Sequence, residues 1–299
     1  MKKIAVFTDC DLDGVCCYAV FSWFTTFKNV DHQICSQSNF RKTWNSWSRN
    51  KDLTTYDKIY IFDLDVSASN LDVVDRDNIT IIDHHDTHVA NKDKYQKANT
   101  ILQEYSSCCK LIYKLFSAKY PEKKITDEQK LLVLLADDYD SYELKIAGSY
   151  ELNVVLWNYA GQRAEQFMRD FGSGFKGFTK EHKNVIDINA RSIRRQISEL
   201  EVFKGVIPIN GKDVKLAATF ANKSLNEIAH HVIDTYDCDI CIVINMNTQR
   251  VSFRKNKERA EEIDLGSLAQ KIADGGGHKH AAGGKLTEQM MNLTKVLEK

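Results

Sequence analysis

Three short apolar runs in the first third of the chain each run into an acid, and this repeated pattern constrains the fold more than any other feature. Lys3 to Thr8 leads into Asp9, Asp11, Asp13 and Gly14; Tyr56 to Leu64 carries Asp63; Asn78 to Ile82 leads into Asp83-His84-His85. Runs of this length and composition read as buried strands. Val15 to Phe27 has the length and apolar content of a helix. Strands alternating with helices imply an α/β fold with a mostly parallel sheet and flanking helices. In such sheets ligands bind in the crevice at the carboxyl ends of the strands, where helix N-termini supply positive dipoles. The acids fall at that edge.

Farther along, Ser106 to Ala118 and Asp127 to Asp137 carry helical spacing. Pro121 separates them, and Thr126 or Asp127 serves as N-cap of the second, with Glu128 in its first turn. The glycine-rich stretch from Phe171 to Gly177 is the strongest break in composition, and Lys180 to Glu201 then reads as one long polar-faced helix. Beyond it, Val214 to Phe220, Ile240 to Met246 and Arg250 to Arg254 read as strands, and Leu225 to Tyr236 and Leu265 to Ala273 as helices. The expected organisation is therefore a first domain over 1–178, a connector helix over 179–202 and a smaller α/β domain over 203–299. A length of 299 residues suits two domains.

Forty-one basic residues balance forty-one acidic ones, so the chain lacks the field of a protein that coats long nucleic acid. Arg191, Arg194 and Arg195 read as a solvated helix face. No run of about 20 apolar residues exists to span a bilayer, and the N-terminus leads directly into a strand pattern. The expectation is a cytoplasmic protein without a membrane partner. Its eight cysteines read as reduced, mostly buried thiols; Cys238-x-x-Cys241 has no second pair at zinc spacing and sits in a strand pattern. Trp44 and Trp47, beside Arg41, Lys42 and Arg49, suit either base stacking or, more commonly for such aromatics, a place in the core.

Singly, each acid also suits a turn or a helix cap. Two adjacent histidines after Asp83, however, have no evident packing role. A further acidic group, Asp137, Asp138 and Asp140, ends the apolar stretch Leu131 to Ala136. Several carboxylates in one crevice repel, and each holds its proton unless a cation neutralises them. A pair of divalent ions solves this. Oxygen ligands with an imidazole favour Mn²⁺ first and Mg²⁺ second. Two ions about 3.5–4 Å apart would clamp a phosphate for in-line attack, which makes hydrolysis the economical reaction. Asp9-x-Asp11-x-Asp13-Gly14 also begins like a calcium EF-hand loop, but Val20 stands where a bidentate Glu is needed.

In order, Asp-x-Asp-x-Asp-Gly, Phe62-Asp63, Asp83-His84-His85, the run from Asp137 to Tyr142, and Gly275-Gly276-Gly277-His278-Lys279-His280-Ala281-Ala282-Gly283 resemble the DHH phosphoesterase family with its DHHA1 substrate-binding domain. That family includes RecJ-type exonucleases, oligoribonucleases, cyclic-dinucleotide phosphodiesterases, polyphosphatases and pyrophosphatases. The resemblance implies that residues 1–178 are the catalytic domain and 203–299 the substrate-binding one. It implies two Mn²⁺ ions, with Asp11 on one, Asp13 on the other, Asp63 bridging, and His84 and Asp138 completing the second site. Asp9 replaces the histidine that many members carry four residues before the first motif aspartate, where this chain has Phe7.

Asp83, His84 and His85 form the implied catalytic trio, with His85 facing the substrate phosphate. Ser252, Arg254, Gly276, Gly277 and His278 would bind substrate. The implied partner is a short single-stranded oligonucleotide or small nucleotide cleaved from one end, and a homodimer is compatible. The rivals are a haloacid-dehalogenase-type phosphatase with Asp11 as nucleophile, a cyclic-dinucleotide phosphodiesterase or pyrophosphatase, and a nucleotide-binding protein without turnover.

Overall fold

A computed structural model of the chain describes residues 3–25, 27, 30–209 and 211–294, apart from the side chains of His278, Leu293 and Thr294. It divides into two compact units, Met1–Ile186 and Asp187–Lys299.

The first unit begins β1 (Ile4–Thr8), α1 (Leu12–Phe24), β2 (Val30–Ile34), α2 (Phe40–Ser48), β3 (Lys58–Phe62), α3 (Leu71–Val74), β4 (Ile79–Asp83), α4 (Asp86–Ala90) and β5 (Asn99–Leu102). Helices α5 (Cys108–Lys119), α6 (Asp127–Asp140), α7 (Ser149–Asn158) and α8 (Arg163–Phe171) follow, and α9 (Lys180–Ser198) runs across the division between the units. All five strands are parallel, in the order β2-β1-β3-β4-β5. The chain winds outward from β1 to β2 on one side and to β3 on the other, so a switch point lies between β1 and β3.

Side chains on β1 alternate between two cores. Ile4 and Val6 pack with α1, α5, α6 and α7, whereas Ala5 and Phe7 pack with Phe40, Trp44 and Trp47. Trp44 and Trp47 are therefore core residues, only 1% and 6% exposed, and Trp47 Nε1 donates to Asp31 at 2.7 Å. Neither is placed to stack a base. Gly14 is required where α1 begins, because a Cβ there would lie 2.5 Å from the Asp9 carbonyl oxygen.

The second unit holds β6 (Phe203–Ile209), β7 (Lys212–Phe220), α10 (Leu225–Tyr236), β8 (Ile240–Asn245), β9 (Arg250–Lys255), α11 (Leu265–Ala273), β10 (Gly276–His278), β11 (Ala281–Lys285) and α12 (Glu288–Thr294). Its mixed sheet runs β10-β11-β9-β8-β7-β6, and only the β7–β8 pair is parallel. The glycine run is thus a strand rather than a free loop, with Gly276 opposite Gly283 and Gly277 opposite Ala282. Gly277 has φ +143°, and a Cβ on it would lie 2.5 Å from the Ala281 carbonyl oxygen. The hairpin itself demands that glycine.

Candidate active site

The carboxyl ends of β1, β3 and β4 bring the acids together. Asp11 caps α1 by accepting the Gly14 amide at 3.0 Å, and Asp13 sits in the first turn of that helix. Both Asp13 oxygens face the N-terminus of α5, accepting the amides of Cys108 (2.6 Å) and Cys109 (2.9 Å). This fixes the carboxylate with a helix dipole behind it. Asp63 follows β3 with φ +58°, a left-handed backbone that aspartate tolerates better than most residues. Its Oδ1 is buried and accepts no hydrogen bond among the described residues.

His84 is the hub. Its Nδ1 lies 3.0 Å from the Tyr105 carbonyl oxygen, so the ring proton belongs on Nδ1. Nε2 is then directed at three carboxylates, 3.4 Å from Asp63 Oδ1, 3.5 Å from Asp140 Oδ2 and 3.8 Å from Asp13 Oδ2. Asp13, His84 and Asp140 offer ligand atoms within 4.8 Å of one another, as do Asp63, Asp83, His84 and His85, and also Asp13, Cys17 and Asp63.

The charges are mutually unfavourable. Burial, then the Asp13 and Asp11 charges, raise Asp63 and Asp140 well above the usual carboxylate range. Burial and neighbouring Asp9 push Asp11 up to about 7, and burial raises Asp9. His85 goes the other way: burial alone would lower it, but the charge and hydrogen bond of Asp83 push it up to about 10. With a quarter of its side chain exposed, His85 is more open than His84, which is 5% exposed.

The fourth acidic group lies in the last turn of α6, which continues to Asp140, three residues beyond the predicted end. At about 100° per residue its three aspartates point in different directions. Asp137 pairs with Lys110 at 2.7 Å and accepts from Ser106 and Ser107. Asp138, expected as a metal ligand, instead accepts the amides of Lys145 (2.9 Å) and Ile146 (3.0 Å) and the Ser149 hydroxyl (2.6 Å). Although burial would raise it, these donors hold it below the usual range. Asp140 is the member of this group that approaches His84, and it replaces Asp138 as the candidate ligand.

In the second unit, Ser252 and Arg254 share one face of β9, while Val251, Phe253 and Lys255 are buried on the other. The Arg254 guanidinium donates to Asn226 Oδ1 and to the carbonyls of Phe253 (2.7 Å) and Ala282 (3.4 Å). Gly276 and Gly277 lie in β10. The His278 side chain lies outside the described residues. Sequence reasoning missed His88 and Tyr95 behind Asp83, though Asp83-His84-His85 followed by His88 was visible as a histidine one helical turn beyond the motif.

A parallel sheet whose carboxyl edge gathers repelling carboxylates around an imidazole has the arrangement of side chains that could hold divalent ions. The family comparisons agree: the model described as "DHH family, N-terminal domain" matches residues 3–136, and the DHHA1 domain matches residues 213–299. The chain belongs to the DHH family of metal-dependent phosphoesterases.

Among solved structures, a pGpG-specific phosphodiesterase from Vibrio cholerae is 15% identical over 98% of this chain and 96% of its own, with a TM-score of 0.57. An exopolyphosphatase-related protein from Bacteroides fragilis is 14% identical over 99% of this chain and 90% of its own, at 0.53. RecJ from Thermus thermophilus in complex with Mn²⁺ is 13% identical over 98% of this chain but 51% of its own, at 0.57, so this chain spans about half of RecJ. At these identities the likeness shows the fold. No curated protein matches the chain by sequence.

Proposed function

We propose that the first unit hydrolyses phosphodiester bonds of a short single-stranded oligonucleotide or small nucleotide from one end, using two divalent ions, Mn²⁺ before Mg²⁺. The observation that carries the reading is the His84 cluster: an imidazole nitrogen turned toward three carboxylates, one of whose oxygens is buried and accepts no hydrogen bond from any described residue. A single proton cannot satisfy such a set, whereas divalent cations fit it. Asp9, Asp11, Asp13, Asp63, His84 and Asp140 are the residues proposed to hold them. The donor set is mostly oxygen with one imidazole, which suits Mn²⁺. RecJ, crystallised with Mn²⁺, shares the fold.

Bound ions would supply Lewis acidity at the phosphate and a water activated at neutral pH. The chain's own residues supply the rest. Asp83 holds His85 by its Nδ1–H at 2.7 Å, which turns Nε2–H outward as a cationic donor to a phosphate oxygen. Arg254 and Ser252, with Gly276, Gly277 and His278, are proposed to bind the substrate backbone, where the guanidinium fork suits a phosphate. An aspartyl-phosphate route is disfavoured by the helix cap that engages Asp11 and by the α5 amides that engage both Asp13 oxygens. Location in the cytoplasm and assembly as a homodimer are part of the proposal. No helix among the described residues is long and apolar enough to cross a membrane.

The test is a panel of dinucleotides, longer 5′- and 3′-labelled strands, cyclic dinucleotides and pyrophosphate, incubated with Mn²⁺. Short linear substrates should be cleaved fastest, and His84→Ala should abolish cleavage while the protein stays folded. Full turnover by folded His84→Ala would overturn the assignment, and a tight complex without product would favour a binding protein.

A further inference from the structure

Asp83 is completely buried, and both of its oxygens are engaged by the protein. Oδ1 accepts the His84 amide at 2.8 Å and His85 Nδ1–H at 2.7 Å. Oδ2 lies 2.6 Å from Nδ1 of His88, a side chain with no exposed surface. On the far side of that ring, His88 Nε2 is 2.6 Å from the Tyr95 hydroxyl. The tautomer follows from the partners: Nδ1–H donates to the carboxylate, and Nε2 accepts from Tyr95 O–H. The four groups form one connected chain that converges on Asp83: the Tyr95 hydroxyl donates to His88, and His88 and His85 donate to opposite oxygens of the carboxylate.

His88 reaches this place because α4 starts directly after the histidine pair. The amides of His88 and Val89 bond to the His85 carbonyl, closing one turn that brings the His88 ring back beneath Asp83. The turn is tied down independently, since Thr87 Oγ1 donates to Asp65 Oδ2 at 2.6 Å and Asp65 Oδ1 accepts from Ser67. An apolar side chain could fill the same space without needing two polar partners. What it could not do is donate to Asp83 Oδ2, which would then be a buried acceptor with nothing to hold the carboxylate plane.

We propose that His88, backed by Tyr95, is a positioning residue for hydrolysis: it locks the Asp83 carboxylate so that Oδ1 fixes the His85 ring with Nε2 toward the substrate. The inference rests on the phosphodiesterase reading above, and it assigns Asp83 to orientation rather than to ion binding. Outer partners of this kind typically change activity by about 10- to 100-fold when removed.

The amide of an asparagine superimposes on imidazole Nδ1, whereas that of a glutamine superimposes on Nε2. His88→Asn therefore keeps a donor for Asp83, and His88→Gln keeps only the Tyr95 contact. With Mn²⁺ and a dinucleotide, His88→Gln and His88→Ala should lose about 10- to 100-fold in kcat, with KM and calorimetric Mn²⁺ affinity unchanged within about twofold; His88→Asn should recover most of the loss. Equal kcat in wild type and folded His88→Gln, or equal losses in the asparagine and glutamine variants, would overturn the proposal.

Tyr95→Phe removes one oxygen from a partly buried ring and keeps the test open where His88 variants fold poorly. It should lower kcat about three- to tenfold and move the low-field imidazole N–H resonance of His88; no change in either overturns the proposal. Failure of the underlying reading is distinct, because wild-type protein would then show no Mn²⁺-dependent cleavage.

Discussion

Asp63 and Lys255 are equally buried, each 2% exposed, yet their surroundings are opposite. The Lys255 ammonium donates to the carbonyls of Ala260 (2.9 Å), Glu261 (3.2 Å) and Ile263, so the loop after β9 wraps around it and satisfies all three protons. Asp63 has an oxygen that accepts no hydrogen bond from any described residue, and its charged neighbours include the carboxylates of Asp13, Asp11 and Asp140. Folding alone completes the lysine's environment and leaves the aspartate's incomplete. A buried charge that its own loop satisfies serves the fold, whereas one held among like charges points to an ion from outside.

The largest effect that can break this contrast is at Asp63. An asparagine amide in its place would keep the shape and tolerate φ +58° while removing the charge, so Asp63→Asn should lower Mn²⁺-dependent hydrolysis about a thousandfold or more, ~4 kcal/mol of barrier. In EDTA the same variant should be more stable than wild type, by about 1–3 kcal/mol in urea unfolding, because one repelling carboxylate is gone. A variant that is inactive and also less stable in EDTA would mean that Asp63 is structural.

Lys255→Met should give the mirror image. Three carbonyls lose their donor at once, and stability should fall by about 2–4 kcal/mol. The stabilisation conferred by Mn²⁺ should be unchanged, since the two charges lie in separately packed units. Loss of metal-induced stabilisation in this variant would erase the contrast.

Metal removal and pH sharpen it further. Saturating Mn²⁺ at about 100 times its Kd should stabilise wild type by ~2.7 kcal/mol, and Asp63→Asn by much less. In EDTA the carboxylates whose folded pKa is raised bind more protons folded than unfolded, so stability must fall as pH rises through the interval between the two values. For Asp11 that interval runs from 3.8 to about 7, and Asp63 and Asp140 shift in the same direction. His32 and His230, lowered by burial to about 3 and about 4, oppose this as pH falls below 6.5, so the readout is the difference between variants: between pH 5 and pH 7.5 metal-free wild type should lose more stability than metal-free Asp63→Asn, with Mn²⁺ closing the gap. Asp83 titrates in the opposite sense, but its folded value is depressed, so its contribution is lost only below the ordinary carboxylate range. Scanning calorimetry at both pH values checks the sign.

The same contrast explains what could be read in the sequence. β1 and β4 were legible because their apolar runs are buried on both faces of a parallel sheet, and β3 because its Ile59 and Ile61 face is buried and Tyr60 and Phe62 keep the other apolar. β2, Val-Asp-His-Gln-Ile, pairs only with β1 at the sheet edge and is half-buried throughout, so it carries no apolar run to find. β10 was hidden for another reason: its glycines, which resemble a flexible turn, are what the crowded hairpin requires.

In the site, Asp9, Asp11, Asp13, Asp63 and the histidine pair were visible because strand ends converge on one edge. The choice between Asp138 and Asp140 was not, because it depends on which way the last turn of α6 faces. That orientation is set by the burial of Leu132, Val133, Leu135 and Ala136, a tertiary property. The role of His88 depends on a carboxylate five residues earlier needing a second donor, and spacing alone does not reveal that.

The smallest effect separates the units by their kinetics. Arg254 is already tethered through Asn226 and two carbonyls, so it presents a preorganised guanidinium rather than one assembled by the substrate. Such a group contributes equally to the bound substrate and the transition state, which is uniform binding. Arg254→Gln should then raise KM for a dinucleotide about tenfold, ~1.4 kcal/mol, and leave kcat within about twofold. A fall in kcat with KM unchanged would place Arg254 in the reaction itself. The proposed division between a first unit that performs the chemistry and a second that only holds the substrate would then have to be abandoned.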